Sequence, residues 1–589
     1  MYIRPWKREN LFSRDFLHAG NEPCHQRIYT ALGACPQKRC IFSDDRAKPV
    51  THIHLRSEWM PSRRGKQAKL ARCMAQSQEA SNACEVHDTK QEASNETKEA
   101  LDMIRPGLEE IKALAAAGEY KTVPVSMEIL SDIKTPIEVL RILKNVSGHC
   151  YMLESVAGNE KWGRYTFLGY DPGLTISCTD GNMKIGSLTL QTKEPGKYIR
   201  QVVEDHKSPV FDYLPSFTGG LVGYFSYDYL KYAEPTLRLD AEDTEGFQDV
   251  DLMLFDKVIA FDNFRQKIIL IVNMPLENVD AQYNKAILEL KHMAELIRTG
   301  EPCKEEPGRM TTEVKPLFSK EQYCDMVNKA KHHILEGDIF QIVLSNRLEA
   351  GFEGSLLNTY RVLRTVNPSP YMFYFSSSDL EVAGASPETL VRLEDGVLHT
   401  FPLAGTRPRG KTEEEDQQLE TELLADPKEL AEHSMLVDLG RNDLGKISRF
   451  GTVEVEKAFC IERYSHVMHI GSTVRGEIRE EKTALDAIDA VLPAGTLSGA
   501  PKIMACQLIN DLENNKRGIY GGAIGYLSFT GNLDTCIAIR IAYKKNGKVF
   551  VRSGAGIVAD SVPEKEYQEC INKAAAVVKS LELAKEVDL

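Results

Sequence analysis

The chain has 589 residues, of which 42% are hydrophobic and 27% are charged, and its formal net charge is −13. This balance is ordinary for globular proteins and excludes a disordered or fibrous chain. The acidic excess argues against a nucleic acid or an anionic membrane as the main partner. No apolar run approaches the roughly 18 residues of a membrane-spanning helix, and the 13 cysteines include no C-x-x-C pair. We therefore expect a soluble cytoplasmic protein with reduced thiols.

The first 102 residues differ in composition from the rest of the chain. Residues 1–72 hold 15 lysines and arginines against 6 acidic residues, and residues 75–100 are polar and low in complexity. We predict a disordered or dispensable extension over residues 1–102, because such a composition buries too little apolar surface to fold. Two alternatives stay open: a transit peptide, which would direct the protein to a plastid, and a zinc site between Cys24 and Cys40, whose spacing matches no common ligand pattern.

Residues 103–310 are predicted to form an N-terminal region of helices and strands. Apolar residues at helical spacing begin at Leu108, just after Met103, and predict an amphipathic helix. A polar linker rich in proline and glycine ends the region near residue 310. Strands with β-branched or apolar residues are predicted over 174–178, 221–227 and 267–272.

Residues 318–583 are predicted to form a second region, which begins with a helix from Ser319 to Glu336. Ser319 is followed three residues later by Gln322, the spacing of a capping box. Beyond this helix, strands and helices alternate without the regular rhythm of a parallel β-α-β sheet. We therefore predict an α+β fold with mixed, largely antiparallel sheets packed with helices.

One motif in this region imitates a nucleotide-binding loop. The stretch from Gly405 to Thr412 matches the pattern G-x-x-x-x-G-K-[ST] letter for letter. Pro408 lies inside it and has no N–H to offer a phosphate. Residues 413–416 are all acidic and would repel a triphosphate. We therefore expect no nucleotide site here.

Two predicted helices carry paired glutamates. Glu429 and Glu432 are three residues apart, as are Glu566 and Glu569, so each pair shares one helix face. Lys573 follows Glu569 by one further turn. Carboxylates from two helices can hold one Mg²⁺, which prefers oxygen ligands. The alternative is that both faces are solvated and held by ordinary ion pairs.

Glycine motifs and one arginine add anion-binding groups. The motifs begin at Pro493, Tyr520 and Ser553, and each could turn backbone N–H groups toward a carboxylate or form an ordinary tight turn. Arg540 is predicted at the end of an apolar strand over residues 535–541, where its guanidinium suits a carboxylate or an ion pair. These candidate groups are one cation site, one arginine, one lysine and several clusters of N–H groups. All of them bind negative charge, and their small number fits a small substrate with two negative charges.

From residue 319 to 583 these features match a known family. The matching motifs are ASPE (385–388), PLAGTRPRG (402–410), EHSMLVDLGRND (432–443), HVMH (466–469), PAGT (493–496) and GAG (554–556), with Glu569, Asn572 and Lys573 following. The region resembles the chorismate-utilising enzymes, which implies the chorismate-binding fold, a β/α sandwich. Chorismate carries two carboxylates, in agreement with the dianionic substrate inferred above.

Two positions discriminate among members of that family. Members that make 4-amino-4-deoxychorismate typically carry a lysine where this chain has Ala404, and members that add water carry a lysine where it has Gln341. The resemblance thus implies a carbon–oxygen lyase that converts chorismate and ammonia to anthranilate and pyruvate, the first step of tryptophan biosynthesis. The branch that makes 4-amino-4-deoxychorismate for folate is the alternative.

The resemblance also implies roles for individual residues. Glu432 and Glu569 would ligate Mg²⁺, with Glu429 and Glu566 near them. Glu388 is the candidate acid for loss of the C4 hydroxyl, and His469 would assist at the ring. The assignment of these two to individual steps stays open. The residues that would bind chorismate are Gly405, Thr406, Thr496, Tyr520, Arg540, Gly554, Ala555, Gly556 and Lys573.

Two further stretches resemble the family's tryptophan-binding element and imply feedback inhibition. The residues that would form this element are Glu154, Ser155, Asn367, Pro370, Tyr371 and Met372. No Gly-x-Cys-x-Gly elbow for glutamine hydrolysis is visible in the sequence. The resemblance therefore implies a separate glutamine amidotransferase subunit, joined with this chain in a heterotetramer.

Overall fold

The structure is a computed structural model that describes residues 104–155, 163–464 and 467–587. The predictions for residues 1–102 lie outside the described residues. The helices are α1 Leu108–Ala117, α2 Pro136–Val146, α3 Pro195–Glu204, α4 Leu230–Ala233, α5 Val279–Thr299, α6 Lys320–Glu336, α7 Leu357–Val366, α8 Glu413–Ala425, α9 Pro427–Gly445, α10 Ala484–Val491, α11 Lys502–Glu513 and α12 Pro563–Leu583. Short 3₁₀ turns occupy Tyr227–Tyr229, Gly495–Leu497 and Ala584–Glu586.

The strands are short and follow one another closely in the chain. They are β1 Ile104–Arg105, β2 Thr122–Leu130, β3 Cys150–Glu154, β4 Tyr165–Tyr170, β5 Leu174–Thr179, β6 Asn182–Ile185, β7 Leu188–Gln191, β8 Gly220–Phe225, β9 Val250–Phe255, β10 Lys257–Asp262, β11 Lys267–Pro275, β12 Arg309–Met310, β13 Lys315–Pro316, β14 Gln341–Glu353, β15 Tyr371–Ser376, β16 Glu381–Ser386, β17 Thr389–Glu394, β18 Val397–Thr400, β19 Leu403–Pro408, β20 Glu454–Arg463, β21 Val467–Glu477, β22 Gly499–Ala500, β23 Ala523–Ser528, β24 Leu533–Ile537, β25 Ile541–Lys545 and β26 Lys548–Ile557.

These strands form two sheets. Sheet one runs in the order β1-β2-β11-β10-β4-β3-β15-β16-β25-β26-β14-β12, with β13 and β22 also paired to β14. Sheet two runs in the order β19-β21-β18-β17-β24-β23-β8-β9-β5-β6-β7, with β20 paired to β21. Neighbouring strands are antiparallel, as at the junctions β3–β15 and β8–β23. The predicted α+β fold with largely antiparallel sheets is confirmed.

Both sheets mix strands from the two predicted regions. In sheet one, Glu154 of β3 is in register with Met372 of β15. In sheet two, Gly223 of β8 is in register with Gly525 of β23. The linker near residue 310 therefore separates two stretches of sequence that complete each other's sheets.

An aromatic layer holds the two sheets face to face. Tyr151 of sheet one lies 4.7 Å from Phe255 of sheet two between ring centroids, and Phe375 lies 6.4 Å from Tyr224. These four side chains are buried, and aromatic burial of this kind contributes about 1.5–3 kcal/mol per side chain. Helices α9 and α12, which carry the paired glutamates, pack against β21 and β26 respectively.

Local signals placed several elements correctly. Ser319 caps α6, accepting from the Gln322 N–H while the Gln322 side chain accepts from the Ser319 N–H, so the predicted capping box is present. Strands β5 and β11 cover the stretches predicted as strands over 174–178 and 267–272, whereas β8 ends at Phe225, two residues before the predicted end, because Tyr227 begins a 3₁₀ turn. Over the part of the chain that the structure describes, no helix combines the length and apolarity needed to cross a membrane.

Candidate active site

Glu388 lies directly before β17 and faces the 3₁₀ turn Gly495–Leu497. Its Oε1 atom accepts a hydrogen bond from the Thr496 hydroxyl at 3.1 Å. Burial raises the pKa of the Glu388 carboxyl to about 7, although the Thr496 hydrogen bond and the charge of Lys573 act in the opposite direction. A carboxyl with this pKa is partly protonated at neutral pH, which suits a general acid.

His469 lies on β21 and is oriented by the neighbouring strand β19. Its Nδ1 atom lies 2.8 Å from the Gly405 carbonyl and 3.1 Å from the Thr406 hydroxyl. A carbonyl accepts only, so Nδ1 carries the proton and Nε2 of the neutral ring keeps its lone pair. Burial lowers the pKa of His469, and the charge of Arg540 adds to this effect. The imidazole is therefore available as a base.

The backbone of β19 is irregular where it meets His469. Its register against β21 shifts between Ala404 and Arg407, and Gly405 has a φ of +65°. A Cβ at Gly405 would lie 3.0 Å from the Leu423 side chain and 3.2 Å from the Glu429 carboxylate. Glycine is thus required here both for the left-handed backbone and for the close approach of α8 and α9.

The glycines of β26 present N–H groups along an open strand edge. Ser345 and Val343 of β14 are in register with Gly554 and Gly556. The N–H groups of Ser345 and Val343 point away from β26, to a glutamate side chain and a carbonyl. In antiparallel pairs of this type both residues turn their N–H groups outward. Gly554 and Gly556 therefore offer theirs to the opposite edge.

Ala555 differs from its two neighbours. As the residue between two outward-facing glycines, it turns its N–H toward Leu344 of β14 and belongs to the sheet ladder. Strand β25 pairs with β26 only as far as Val551, so the outer edge beyond that point carries no neighbouring strand. Of the three N–H groups that the sequence predicted to hold a carboxylate, only those of Gly554 and Gly556 face this edge.

Lys573 and Tyr520 surround Gly554. The Lys573 ammonium donates to the Gly554 carbonyl at 3.1 Å and lies 2.7 Å from Oε1 of Glu569. A Cβ at Gly554 would lie only 3.0 Å from the Tyr520 hydroxyl. Burial raises the pKa of Tyr520 well above its usual value, so its phenol stays protonated and can donate a hydrogen bond.

Arg540 corrects one prediction from the sequence. It lies in the bend between β24 and β25 with a φ of +55°, rather than inside a continuous strand over residues 535–541. Its guanidinium makes no hydrogen bond or ion pair with any described residue, while Tyr520 and Glu569 are close enough to influence it. Burial lowers its pKa. A half-buried guanidinium without a partner among the described residues is a binding group for an anion.

The paired glutamates of α9 and α12 face one another. Burial raises the pKa of Glu432, and the charges of Glu429 and Glu569 raise it further. Burial likewise raises the pKa of Glu566, with a contribution from Glu569. No three His, Cys, Asp or Glu residues in the described ranges lie close enough together to form a finished metal cluster. Mutually repelling carboxylates nevertheless fit a divalent cation that prefers oxygen donors.

The stretch that imitates a phosphate loop has its N–H groups occupied. The Gly410 N–H donates to Asp416 at 2.7 Å, and the Lys411 N–H donates to Glu415 at 2.8 Å. The Thr412 hydroxyl accepts from the Glu415 N–H and caps α8. These groups build a helix start and leave no cradle for a phosphate.

A second site is a cavity of about 810 Å³ between the two sheets. Its walls come from β3, β4 and β15 of sheet one and from β17, β20, β21, β23 and β24 of sheet two. The residues of the predicted tryptophan element that line it are Glu154, Ser155, Pro370, Tyr371 and Met372. Asn367 is not among the lining residues; its N–H donates to the Leu363 carbonyl at the end of α7.

Some polar groups of this cavity have hydrogen-bond partners among the described residues, and one does not. Glu154 already accepts hydrogen bonds from Arg364, at 2.9 Å from Nη2, and from Tyr360. The Ser155 hydroxyl is buried without a partner among the described residues. The Tyr371 hydroxyl donates to Asp534 at 2.7 Å. Ser155 is therefore the group most in need of a ligand.

Sequence reasoning missed the half of this cavity that belongs to sheet two. Thr389, Asp534 and Tyr526 line it together with the predicted residues. Their positions follow from the packing of one sheet on the other, and no motif in the sequence marks them. Tyr464, whose ring lies 5.6 Å from His469, was missed for the same reason.

The candidate site thus presents a carboxylic acid, a neutral imidazole, a half-buried guanidinium, a lysine and two outward-facing N–H groups. This set of groups is suited to a small substrate with two carboxylates. A family model described as chorismate binding enzyme matches residues 148–579. The chain therefore belongs to the chorismate-binding enzymes, and the resemblance seen in the sequence is confirmed.

Individual relatives narrow this class. Anthranilate synthase component 1 of Acetivibrio thermocellus is 46% identical over 497 residues, which cover 82% of this chain and 100% of that protein. The protein of the same name from Aquifex aeolicus is 45% identical over 494 residues, covering 81% of this chain and 98% of that one. Within the chorismate-binding enzymes, this chain belongs with the anthranilate synthase component 1 proteins.

Solved structures agree with this placement. The crystal structure of anthranilate synthase component I from Streptococcus pneumoniae TIGR4 superposes with a TM-score of 0.63 at 37% identity, covering 76% of this chain and 98% of that one. The isochorismate synthase MenF of Escherichia coli superposes with a TM-score of 0.59 at 20% identity, covering 80% and 98%. The second likeness concerns the fold alone.

Proposed function

We propose that this chain is the chorismate-converting subunit of an anthranilate synthase, forming anthranilate, pyruvate and water from chorismate and ammonia. The observation that carries this proposal is the pairing of Glu388, a half-buried acid with a pKa of about 7, with an anion pocket that has no lysine at either discriminating position. Gln341 and Ala404 occupy those positions, and both are buried. Ammonia itself then serves as the nucleophile.

The enolpyruvyl carboxylate of chorismate is assigned to the open edge of β26. Arg540 supplies an unpaired guanidinium, the N–H groups of Gly554 and Gly556 supply two neutral donors, and the Tyr520 phenol lies beside them. A guanidinium and several N–H groups acting together bind a carboxylate more strongly than either does alone. This arrangement fixes the orientation of the substrate.

The ring carboxylate is assigned to the gap between α9 and α12. Glu432 and Glu569 would hold Mg²⁺ there, with Glu429 and Glu566 nearby. When bound, Mg²⁺ supplies a positive charge for the carboxylate and acts as a Lewis acid and template. The Lys573 ammonium lies 2.7 Å from Oε1 of Glu569 and adds a second positive charge beside this gap.

The proton transfers are assigned to Glu388 and His469. Protonated Glu388 gives its proton to the C4 hydroxyl, which leaves as water while ammonia forms the C2–N bond. Nε2 of neutral His469 then takes the C2 proton of the amino adduct while the C3–O bond breaks, so the ring becomes aromatic as the enolpyruvyl group leaves. The released enolate takes up a proton at its methylene carbon and becomes pyruvate, and the proton shed by the new C2 ammonium group replaces the one that Glu388 gave. The atoms of chorismate and ammonia are fully accounted for by anthranilate, pyruvate and water.

Ammonia is assigned to a partner subunit that hydrolyses glutamine. The relatives carry the designation component 1, which indicates a further component in those proteins. We expect this chain to assemble with a glutamine amidotransferase as a heterotetramer, and to use free ammonium when it is alone. A cytoplasmic location, or a plastid one if residues 1–102 are a transit peptide, remains a prediction.

The inter-sheet cavity is assigned to tryptophan as a feedback inhibitor. It is large enough for an indole, Ser155 offers an unpartnered hydroxyl, and aromatic side chains such as Tyr165 and Phe167 line it. Pockets of this kind combine apolar walls with a few polar groups that fix orientation.

Product identification tests the proposed function directly. The purified chain is incubated with chorismate, Mg²⁺ and an ammonium salt, and the products are separated by chromatography. Anthranilate and pyruvate in equal amounts are the expected result. Formation of 4-amino-4-deoxychorismate without pyruvate would move the protein to the folate branch, and unconsumed chorismate would overturn the assignment.

A further inference from the structure

Arg517 is a fully buried arginine that the reaction scheme does not use. It is 2% exposed, and its hydrogen bonds join three segments of the chain. Nη1 donates to the Leu497 carbonyl at 2.7 Å, Nη2 donates to the Val343 carbonyl at 2.7 Å, and Nε donates to Glu513 at 3.0 Å. A planar guanidinium is suited to this task because its donors point in fixed directions.

Glu513 completes the arrangement from α11. One carboxylate accepts from two arginines, with Arg517 Nη2 at 2.6 Å and Arg552 Nη2 at 2.7 Å. It also accepts from the N–H and the hydroxyl of Ser345, at 2.8 and 3.0 Å. The three charged groups are each at most 2% exposed. A buried charge is tolerated only when it is paired in this way.

Each segment that Arg517 holds carries a part of the active site. Leu497 follows Thr496, whose hydroxyl binds Glu388. Val343 is in register with Gly556 on the strand edge assigned to the carboxylate. The guanidinium of Arg517 also lies over the ring of Tyr520, 5.8 Å from its centroid. Arg517 therefore contacts the turn that binds the acid, the strand opposite the outward-facing N–H groups, and the ring of the phenol.

We propose that Arg517 is a positioning residue that sets the acid-holding turn and the carboxylate-binding edge of the active site relative to each other. The proposal rests on the proposed function, because it assigns the two groups that Arg517 aligns. After loss of these bonds, the Val343 N–H bond to Ser498 and the pairing of β22 with β14 would still hold the segment that follows the turn. The Leu497 carbonyl itself would lose its link to β14 through the guanidinium, so the turn would be free to shift relative to the strand. Misplacement by about 1 Å is enough to slow a reaction substantially.

The two arginines that share Glu513 offer a variant and a matched control, each of which leaves one arginine paired with this carboxylate. Arg517→Met removes the bonds to Leu497 and Val343 but leaves Glu513 paired with Arg552. Arg552→Met removes an equally buried arginine from the same carboxylate, yet leaves every bond of Arg517 intact. Its other bonds go to the Ser345 hydroxyl, Asn515 and the Lys516 carbonyl, and none of them reaches the turn Gly495–Leu497 that holds the acid. In both variants Glu513 therefore keeps one arginine as its ion-pair partner.

The experiment compares steady-state kinetics with ammonium as nitrogen source and thermal melting for the two variants and the parent chain. Arg517→Met is expected to lower kcat at least tenfold and to raise KM for chorismate at least fivefold. Arg552→Met is expected to lower the melting temperature similarly while keeping both constants within threefold. Arg517→Lys is expected to recover part of kcat, because an ammonium can reach one or two of the three acceptors.

The outcomes separate the two proposals. If the parent chain consumes no chorismate, the proposed function fails. If the parent is active but Arg517→Met keeps kcat and KM within threefold, the positioning role is overturned. Equal activity losses in Arg517→Met and Arg552→Met would also overturn it, since they would reflect general destabilisation. If Arg517→Met does not fold by circular dichroism, Arg517→Gln, whose side chain is too short to reach Leu497 and Val343, is judged by the same limits against Arg552→Gln.

Discussion

Glu388 and Thr389 are neighbours in the chain, and their side chains face two different sites. The Glu388 carboxylate accepts from Thr496 in the active site. The Thr389 hydroxyl lies 3.0 Å from the Tyr371 hydroxyl in the inter-sheet cavity. Successive residues of a strand point to opposite faces, so a ligand that moves Tyr371 acts on the same strand that carries the acid.

This relationship predicts that Tyr371→Phe weakens feedback inhibition. The substitution removes the hydroxyl that contacts Thr389 and Asp534. A ligand in the cavity that displaces residue 371 then no longer displaces β17 through this hydrogen bond. The tryptophan concentration for half inhibition is expected to rise at least tenfold, measured with ammonium as nitrogen source. Tyr170→Phe is the control, because the buried Tyr170 hydroxyl has no hydrogen-bond partner in the described part of the chain and does not line the cavity. Equal sensitivity in the two variants would contradict the coupling.

The pKa of Glu388 predicts a loss of activity at alkaline pH. Burial raises this pKa to about 7, and the acid must be protonated to act, so kcat is expected to fall as pH rises through about 7. Thr496→Val removes the hydrogen bond that lowers the pKa and should move this fall to higher pH. Thr496→Ser keeps the hydroxyl and should leave it in place. Lys573 and Tyr464 also face Glu388 and are unchanged in both variants.

Glu569 is expected to be necessary for Mg²⁺ binding. Glu569→Ala removes one of the carboxylates that face each other across α9 and α12, which should weaken Mg²⁺ binding at least tenfold and lower turnover in proportion. Titration calorimetry measures the binding and initial rates at varied Mg²⁺ measure the turnover. Glu564→Ala on the same helix is an exposed control. An unchanged Mg²⁺ dependence in Glu569→Ala would remove this residue from the ligand set.

Gly554 is expected to tolerate no side chain. In Gly554→Ala the new Cβ would lie 2.8 Å from the Leu344 carbonyl and 3.0 Å from the Tyr520 hydroxyl, so either the strand or the phenol must move. We expect KM for chorismate to rise at least tenfold. Gly148→Ala is the control, since a Cβ there meets nothing within 4 Å. A normal KM in Gly554→Ala would show that this edge does not bind the substrate.

Local patterns in the sequence were sufficient for the helices and for the paired glutamates. The capping box at Ser319 and the i,i+3 spacing of Glu429 and Glu432 depend on neighbours within one helical turn, so the sequence alone predicts them. The ordered motifs between residues 385 and 573 were likewise sufficient to predict the family and, with it, the α+β fold. These are the properties that a short stretch of chain determines by itself.

Only the tertiary structure decided which groups of those motifs are free. The Ala555 N–H points toward β14 and the Gly554 N–H beside it points away, because the register against β14 sets which N–H groups face outward. The left-handed φ of Arg540, the sheet-two wall of the inter-sheet cavity and the bonds of Arg517 to Leu497 and Val343 join residues distant in the sequence. Such contacts form when the two sheets pack and strands from both halves of the chain pair, and no spacing within either half encodes them.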